Sequence, residues 1–272
     1  MFKSLNATFK GVAGLAVLSA GLIITAQVQA GTIAQCGADI CSSDFSIIIN
    51  GTNAGGGELI YDATSGDITL STDNITGGGM VMSSGDIMWD MGNGNTVSVG
   101  SLSGNADPIL GFGLGASTGA TGSTFGFTFN LPIALEGPID ANSSVSYSLS
   151  SLTTGGAQIS SVGGGKIVTA YEVDTSVGGI GSLNKGVDVG DTFFFNGGPD
   201  TQESSVFTAS NSFTGNLAYD LMAVNVNFSL SANSTVGISG FVEQMVVPVP
   251  AAAWLFGSGL IGLIGVARRK KV

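Results

Sequence analysis

Phe125, Phe127 and Phe129 alternate with Gly126 and Thr128 and run on to Leu131, placing three aromatic rings on one side of an extended segment. A helix would spread the same rings around its axis, so the stretch reads as a half-buried strand. Val145, Tyr147 and Leu149 repeat the pattern against serines, and Val224, Val226, Phe228 and Leu230 repeat it against Asn225, Asn227 and Ser229. Between such runs lie segments like 71–80 (Ser-Thr-Asp-Asn-Ile-Thr-Gly-Gly-Gly-Met), too rich in Gly, Asn, Ser and Thr to hold a helix.

Further strands are predicted at 45–49, 67–70, 87–91, 96–102, 166–173, 192–195, 206–209 and 235–242. Their spacing, with turn signals between them, predicts an all-β antiparallel sandwich or jelly roll in one domain over residues 31–247. Ser65-Gly66-Asp67-Ile68 and Ser84-Gly85-Asp86-Ile87 read as two successive strand entries, since a solenoid needs at least three stacked copies. Pro108 opens one strand and Pro132 closes another, so 109–112 and 124–131 are expected to form a central hairpin.

The two ends differ from this body. Lys3 and Lys10 precede an apolar stretch over 11–26, and Val28-Gln29-Ala30 offers the small-residue cleavage site of a secretory signal peptide over residues 1–30. Export implies passage through the Sec translocon and cutting by signal peptidase. At the other end, residues 251–267 carry no charge, and as a helix they would span ~25 Å, close to the lower limit for a bilayer. Arg268, Arg269, Lys270 and Lys271 then stop the run and hold that end on the cytoplasmic side. Pro248 and Pro250 keep the approach extended and out of any sheet.

The tail Val-Pro-Val-Pro-Ala-Ala-Ala-Trp-Leu-Phe-Gly-Ser-Gly-Leu-Ile-Gly-Leu, closed by Arg-Arg-Lys-Lys, resembles the PEP-CTERM sorting signal of exopolysaccharide-producing bacteria. Pro248, Val249 and Pro250 correspond to its Pro-Glu-Pro motif, with Val249 in place of the acidic residue; Trp254 opens the helix and Arg268 to Lys271 form the basic stop. The resemblance implies a sorting signal over 248–271, recognition by an exosortase, a transient stay in the inner membrane, and final residence at the cell surface or in a polysaccharide matrix. The segment from Asp107 to Ile133 also resembles passengers of that family.

All 19 acidic residues lie between Asp39 and Glu243, where Lys166 and Lys185 are the only cations, a formal charge of −17 for the body. Such a field opposes nucleic acid and anionic membrane and favours solubility or cation binding. Cys36 and Cys41, in an oxidising compartment, predict a small-loop disulfide.

With no histidine anywhere and no arginine before Arg268, a Ser-His-Asp triad, a His-zinc site and an arginine clamp on phosphate are all excluded. Gly163-Gly164-Gly165-Lys166 and the Gly111 to Ala116 stretch lack the strand-helix setting of nucleotide loops and read as a turn and a strand. Carboxylates remain: Asp86 and Asp90 near Trp89 as a glycosidase pair, and Asp188, Asp191 and Asp200 as a calcium cage. Trp89, Tyr61, Tyr147, Tyr171 and Tyr219 are candidates for stacking on sugars or for core packing. The expectation is a non-enzymatic surface or matrix protein without a cofactor, with calcium-assisted carbohydrate binding and then a carboxylate glycosidase as alternatives.

Overall fold

The computed structural model describes residues 41–61, 68–81, 86–105, 108–133, 135–174, 183–184, 187–199, 201–216, 219, 221–247, 256 and 258–261. The signal-peptide positions Val28 and Ala30, Cys36, the motif Pro248-Val249-Pro250, Trp254 and the cations Arg268, Arg269, Lys270 and Lys271 lie outside them. Among the described residues, no helix is long and apolar enough to cross a membrane.

Between Cys41 and Val246 the described residues are all-β apart from one 3-10 turn at Val162–Gly164, and they fold as two antiparallel sheets. β1 (Cys41–Ile49), β2 (Thr52–Tyr61) and β3 (Ile68–Gly77) form a meander in the first sheet. β4 (Gly79–Val81), β5 (Ile87–Asp90), β6 (Thr96–Asn105) and β7 (Ile109–Ser117) form a meander in the second. From there the chain alternates: β8 (Ser123–Pro132) joins the first sheet, β9 (Gly137–Ser151) the second. β10 (Ala157–Ser161), β11 (Val168–Val173), β12 (Leu183–Asn184) and β13 (Phe193–Phe195) return to the first, β14 (Gln202–Gly215) lies in the second, β15 (Leu221–Leu230) in the first and β16 (Ser234–Val246) in the second. The first sheet runs β12-β11-β15-β8-β1-β2-β3, with β10 beside β15 and β13 beside β10; the second runs β14-β9-β16-β7-β6-β5-β4.

The period of two decides which face goes inward. Phe45, Ile47 and Ile49 of β1, Phe125, Phe127, Phe129 and Leu131 of β8, and Val224, Val226, Phe228 and Leu230 of β15 are all buried on one side of the first sheet. Val145, Tyr147 and Leu149, with Val236, Ile238 and Val242, face them from the second. Each buried side chain of this size contributes about 1.5–3 kcal/mol, and a one-residue slip would turn the whole set to water, so the registers are strongly fixed. The aromatic contacts join the layers: Phe112 of the second sheet stacks on Phe129 of the first at 6.1 Å, and Trp89 meets Phe45 edge-on at 6.2 Å.

The expected hairpin of 109–112 with 124–131 does not form. β7 is taken on both edges by β6 and β16, while β8 lies in the other sheet between β1 and β15. The connection crosses between layers and is pinned there by Thr118, whose N–H donates to Ser234 O at 2.9 Å and whose hydroxyl accepts from Ser234 N at 3.1 Å. Stacking Phe112 on Phe129 face to face across the interior requires the two strands to sit in opposite sheets. The strand entries Ile68 and Ile87 do open β3 and β5, and both side chains are buried.

Candidate functional site

A recess of about 480 Å³ opens on the outer face of the first sheet, where β1, β2 and β3 meet. Its wall is set by register. Asp44 of β1 stands directly opposite Glu58 of β2, and Glu58 pairs in turn with Ser71 of β3. Since the odd-numbered residues of β1 fill the core, Asp44 and Ser46 project outward. Asn74 reaches back from β3 and its Nδ2 donates to Glu58 Oε2. Asn53 and Thr76 complete the rim; Asn53 Oδ1 accepts from Gly55 N at 3.0 Å.

The floor is backbone, for a reason that lies underneath it. A Cβ on Gly55 would stand 2.4 Å from Trp89 Nε1, one on Gly56 would stand 2.4 Å from Phe45 O, and one on Gly57 would stand 2.6 Å from Phe45 Cε1. Two core aromatics thus press against the inward side of β2 at Gly55 and Gly57, and the β1 backbone leaves no room for a side chain on Gly56 between them. The Trp89 indole N–H is satisfied by Thr76 O at 3.2 Å. The outward rows extend the polar surface away from the recess: Ser46 lies opposite Thr128, Thr128 opposite Asn225, and Asn225 opposite Thr169. Thr128 Oγ1 donates to Asn225 Oδ1 at 2.8 Å, so these side chains are held in place.

The residues singled out from sequence fall elsewhere. Asp90 caps a turn, its Oδ1 accepting from Gly92 N at 2.8 Å, and Asp86 lies beside Gly100 at the other end of β5, so four strand residues, about 13 Å, separate the two backbones. Asp191 is engaged by Lys166 Nζ at 2.6 Å and Asp188 accepts from Ala170 N at 3.4 Å; Asp200 lies outside the described residues. Among the described residues no group of three or more acidic, cysteine or histidine side chains gathers in metal-binding range. Gly163-Gly164 is a turn with φ of 75° and 80°, and Gly111 to Ala116 is β7.

Trp89 and Tyr147 are buried, so neither offers a face to a ligand; the side chain of Tyr61 lies outside the described set. The Tyr147 hydroxyl finds no hydrogen-bond partner among the described residues, and a Cβ on Gly190 would sit 2.0 Å from it. Burial, and then the charge of Asp191, push its ionisation well above the usual phenol range. Sequence reasoning missed Asp44, Glu58 and Asn74, although Asn50-Gly51, with φ of 49° and 78°, is the two-residue hairpin signal that pairs β1 with β2.

No protein-family model matches the chain, and no characterised protein matches it as a relative. Among solved structures, the enzymatically active domain of bacteriophage CBA120 tailspike protein 4 is similar at a TM-score of 0.27 and 10% identity, over 58% of this chain and 20% of that one. The chain therefore spans about a fifth of that tailspike domain. A carbohydrate-binding module, TmCBM61, solved with β-1,4-galactotriose, is similar at 0.24 and 8% identity, over 55% and 88%. A putative sugar binding protein from Bacteroides thetaiotaomicron VPI-5482 is similar at 0.27 and 10% identity, over 61% and 90%.

Proposed function

We propose that the all-β body is a non-catalytic carbohydrate-binding protein that holds extracellular polysaccharide in the recess between Asp44, Glu58 and Asn74. The observation that carries this reading is the cross-strand pair Asp44 and Glu58, with Asn74 fixed on Glu58, above a floor of three glycines. A sugar ring presents hydroxyls that both donate and accept. Carboxylates accept, amides do both, and a bare backbone floor lets a ring approach closely. The site lies on strands of a packed sheet, so it is formed before the ligand arrives.

The test is binding of the host's extracellular polysaccharide by the full chain purified in detergent, compared with a Glu58→Gln, Asn74→Ala variant. Loss of binding of at least roughly ten-fold with an unchanged melting temperature is expected, as removal of hydrogen bonds to a charged group predicts. Equal binding by both proteins would remove the recess from the account. Repeating the titration in EDTA separates direct hydrogen bonding from a calcium-assisted mode through the same acids.

For delivery, the reading rests on the sequence of the two ends. A signal peptide over residues 1–30 takes the chain out, and the PEP-CTERM-like tail presents Pro248-Val249-Pro250 to an exosortase. The fold reaches up to that motif: β16 ends at Val246, and Val247 N still donates to Pro138 O at 2.8 Å. A cut at 248–250 would therefore leave the body intact. Intact mass of the protein recovered from the cell surface should end near residue 247 to 250; a chain ending at Val272 would refute processing.

A further inference from the structure

We propose that β14 is a self-association edge, which pairs antiparallel with β14 of a second copy of this chain. Edge strands carry unpaired backbone groups, and proteins blunt them with short length, bulges, charge or proline. The described edges of this molecule follow that rule with one exception. β12 has two residues and β4 has three. β3 carries Asp73 and an irregular register against β2. β14 has 14 residues, pairs with β9 without a register break from Gln202 to Gly215, and is hydrogen-bonded to a described strand on that side only. From Ser204 to Gly215 it contains neither a charge nor a proline, within a body of formal charge −17.

A copy of the same strand is the partner these features fit. A body of formal charge −17 repels another copy, and β14 itself adds no charge to that repulsion between Ser204 and Gly215; the carboxylate nearest it, Asp140, accepts from Ser212 near its far end at 2.7 Å. Pairing about a two-fold axis at Phe207 sets Ser204 against Ser210, Ser205 against Ala209 and Val206 against Thr208, all uncharged. It sends the two Glu203 side chains to opposite ends of the interface, where a parallel arrangement would stack them. The inward side gains as well: Phe207 and Ala209 are only partly buried against the core, with Phe207 packed on Tyr147 at 5.3 Å, and a continued sheet would cover them. Val206, on the outward side, is 66% exposed.

The experiment uses the full chain in detergent, with protein mass measured by light scattering across concentration and salt. The wild type is expected to reach twice the single-chain mass, more readily at high ionic strength because screening weakens the repulsion of the acidic bodies. Val206→Lys with Thr208→Lys sets lysine against lysine across the axis and should weaken association by roughly ten-fold or more. A mixture of Val206→Cys and Thr208→Cys chains should form a disulfide-linked dimer, because directly opposed strand residues lie within disulfide reach; neither variant alone should do so. A wild type of single-chain mass at all salts, a double-lysine variant that associates as well as the wild type, or a mixture that does not cross-link would each overturn the proposal. So would capture of a different protein at this edge in place of a copy.

Discussion

The indole N–H of Trp89, on the second sheet, donates to the carbonyl oxygen of Thr76, on the first, across 3.2 Å. This bond ties the layers together next to the point where the chain leaves β3 for β4. It also fixes the ring beneath Gly55, which makes the floor of the recess a consequence of core packing. Trp89→Ala should cost about 3–5 kcal/mol in denaturant unfolding, from a lost buried aromatic and the cavity it leaves. Trp89→Phe, which keeps a ring but gives up the bond to Thr76 O, should cost about 1–3 kcal/mol.

Gly55→Ala tests the floor itself. Its Cβ would meet Trp89 Nε1 at 2.4 Å and Thr76 O at 2.6 Å, so either the indole or β3 must shift. The expected loss is about 1–3 kcal/mol, as in other overpacked cores. Carbohydrate binding should fall with it, because Thr76 and Asn74 belong to the same strand as the displaced carbonyl. Gly51→Ala provides the contrast: nothing lies within 4 Å of that Cβ, so its cost should come only from the positive φ of 78°.

Tyr147→Phe should raise stability at high pH. The phenol is buried and ionises only well above its ordinary range, whereas in the unfolded chain it ionises near 10. Above about pH 10 the native state thus holds a proton that the unfolded state gives up, and stability falls by up to about 1.4 kcal/mol per pH unit. Removing the hydroxyl removes that contribution to the alkaline loss. At neutral pH the change should be small or stabilising, because the oxygen has no hydrogen-bond partner among the described residues. Unfolding curves of both proteins between pH 8 and pH 11 would check the sign.

Gln244→Met should stabilise the fold by about 1 kcal/mol. Gln244 is 0% exposed on a strand flanked by β9 and β7, and neither its Nε2 nor its Oε1 finds a partner among the described residues. Replacing an unpaired carboxamide by an apolar chain of similar shape removes a desolvation cost. Unchanged or lower stability in the variant would show that the amide is satisfied in solution.

The strands legible in the sequence were those with one wet face. β8, β9 and β15 alternate Phe, Val, Tyr and Leu with Gly, Ser, Thr and Asn, and burial follows that alternation except at Gly126 and Ala223, which are buried on the outward side as well. β2 was hidden because its Gly55-Gly56-Gly57 reads locally as loop, while the cause of those glycines is Trp89 and Phe45, distant in sequence. The partners of β7 were hidden for a related reason, since its glycines at 111, 113 and 115 face outward under the hydroxyls of Ser103, Ser101 and Ser98 from β6. The acidic pair depends on something subtler. Asn50-Gly51 sets the hairpin, but a bulge between Ile47 and Ile48 shifts the ladder, and only after that shift does Asp44 meet Glu58.

The most direct measurement is amide and side-chain chemical-shift mapping on the full chain, titrated with oligosaccharides cut from the host's matrix polymer. Shifts clustered at Ser46, Asn53, Glu58, Asn74 and Thr76 are the predicted result. Shifts confined to the Ser- and Gly-lined outer face of the second sheet, or no shifts at saturating sugar, would contradict the account.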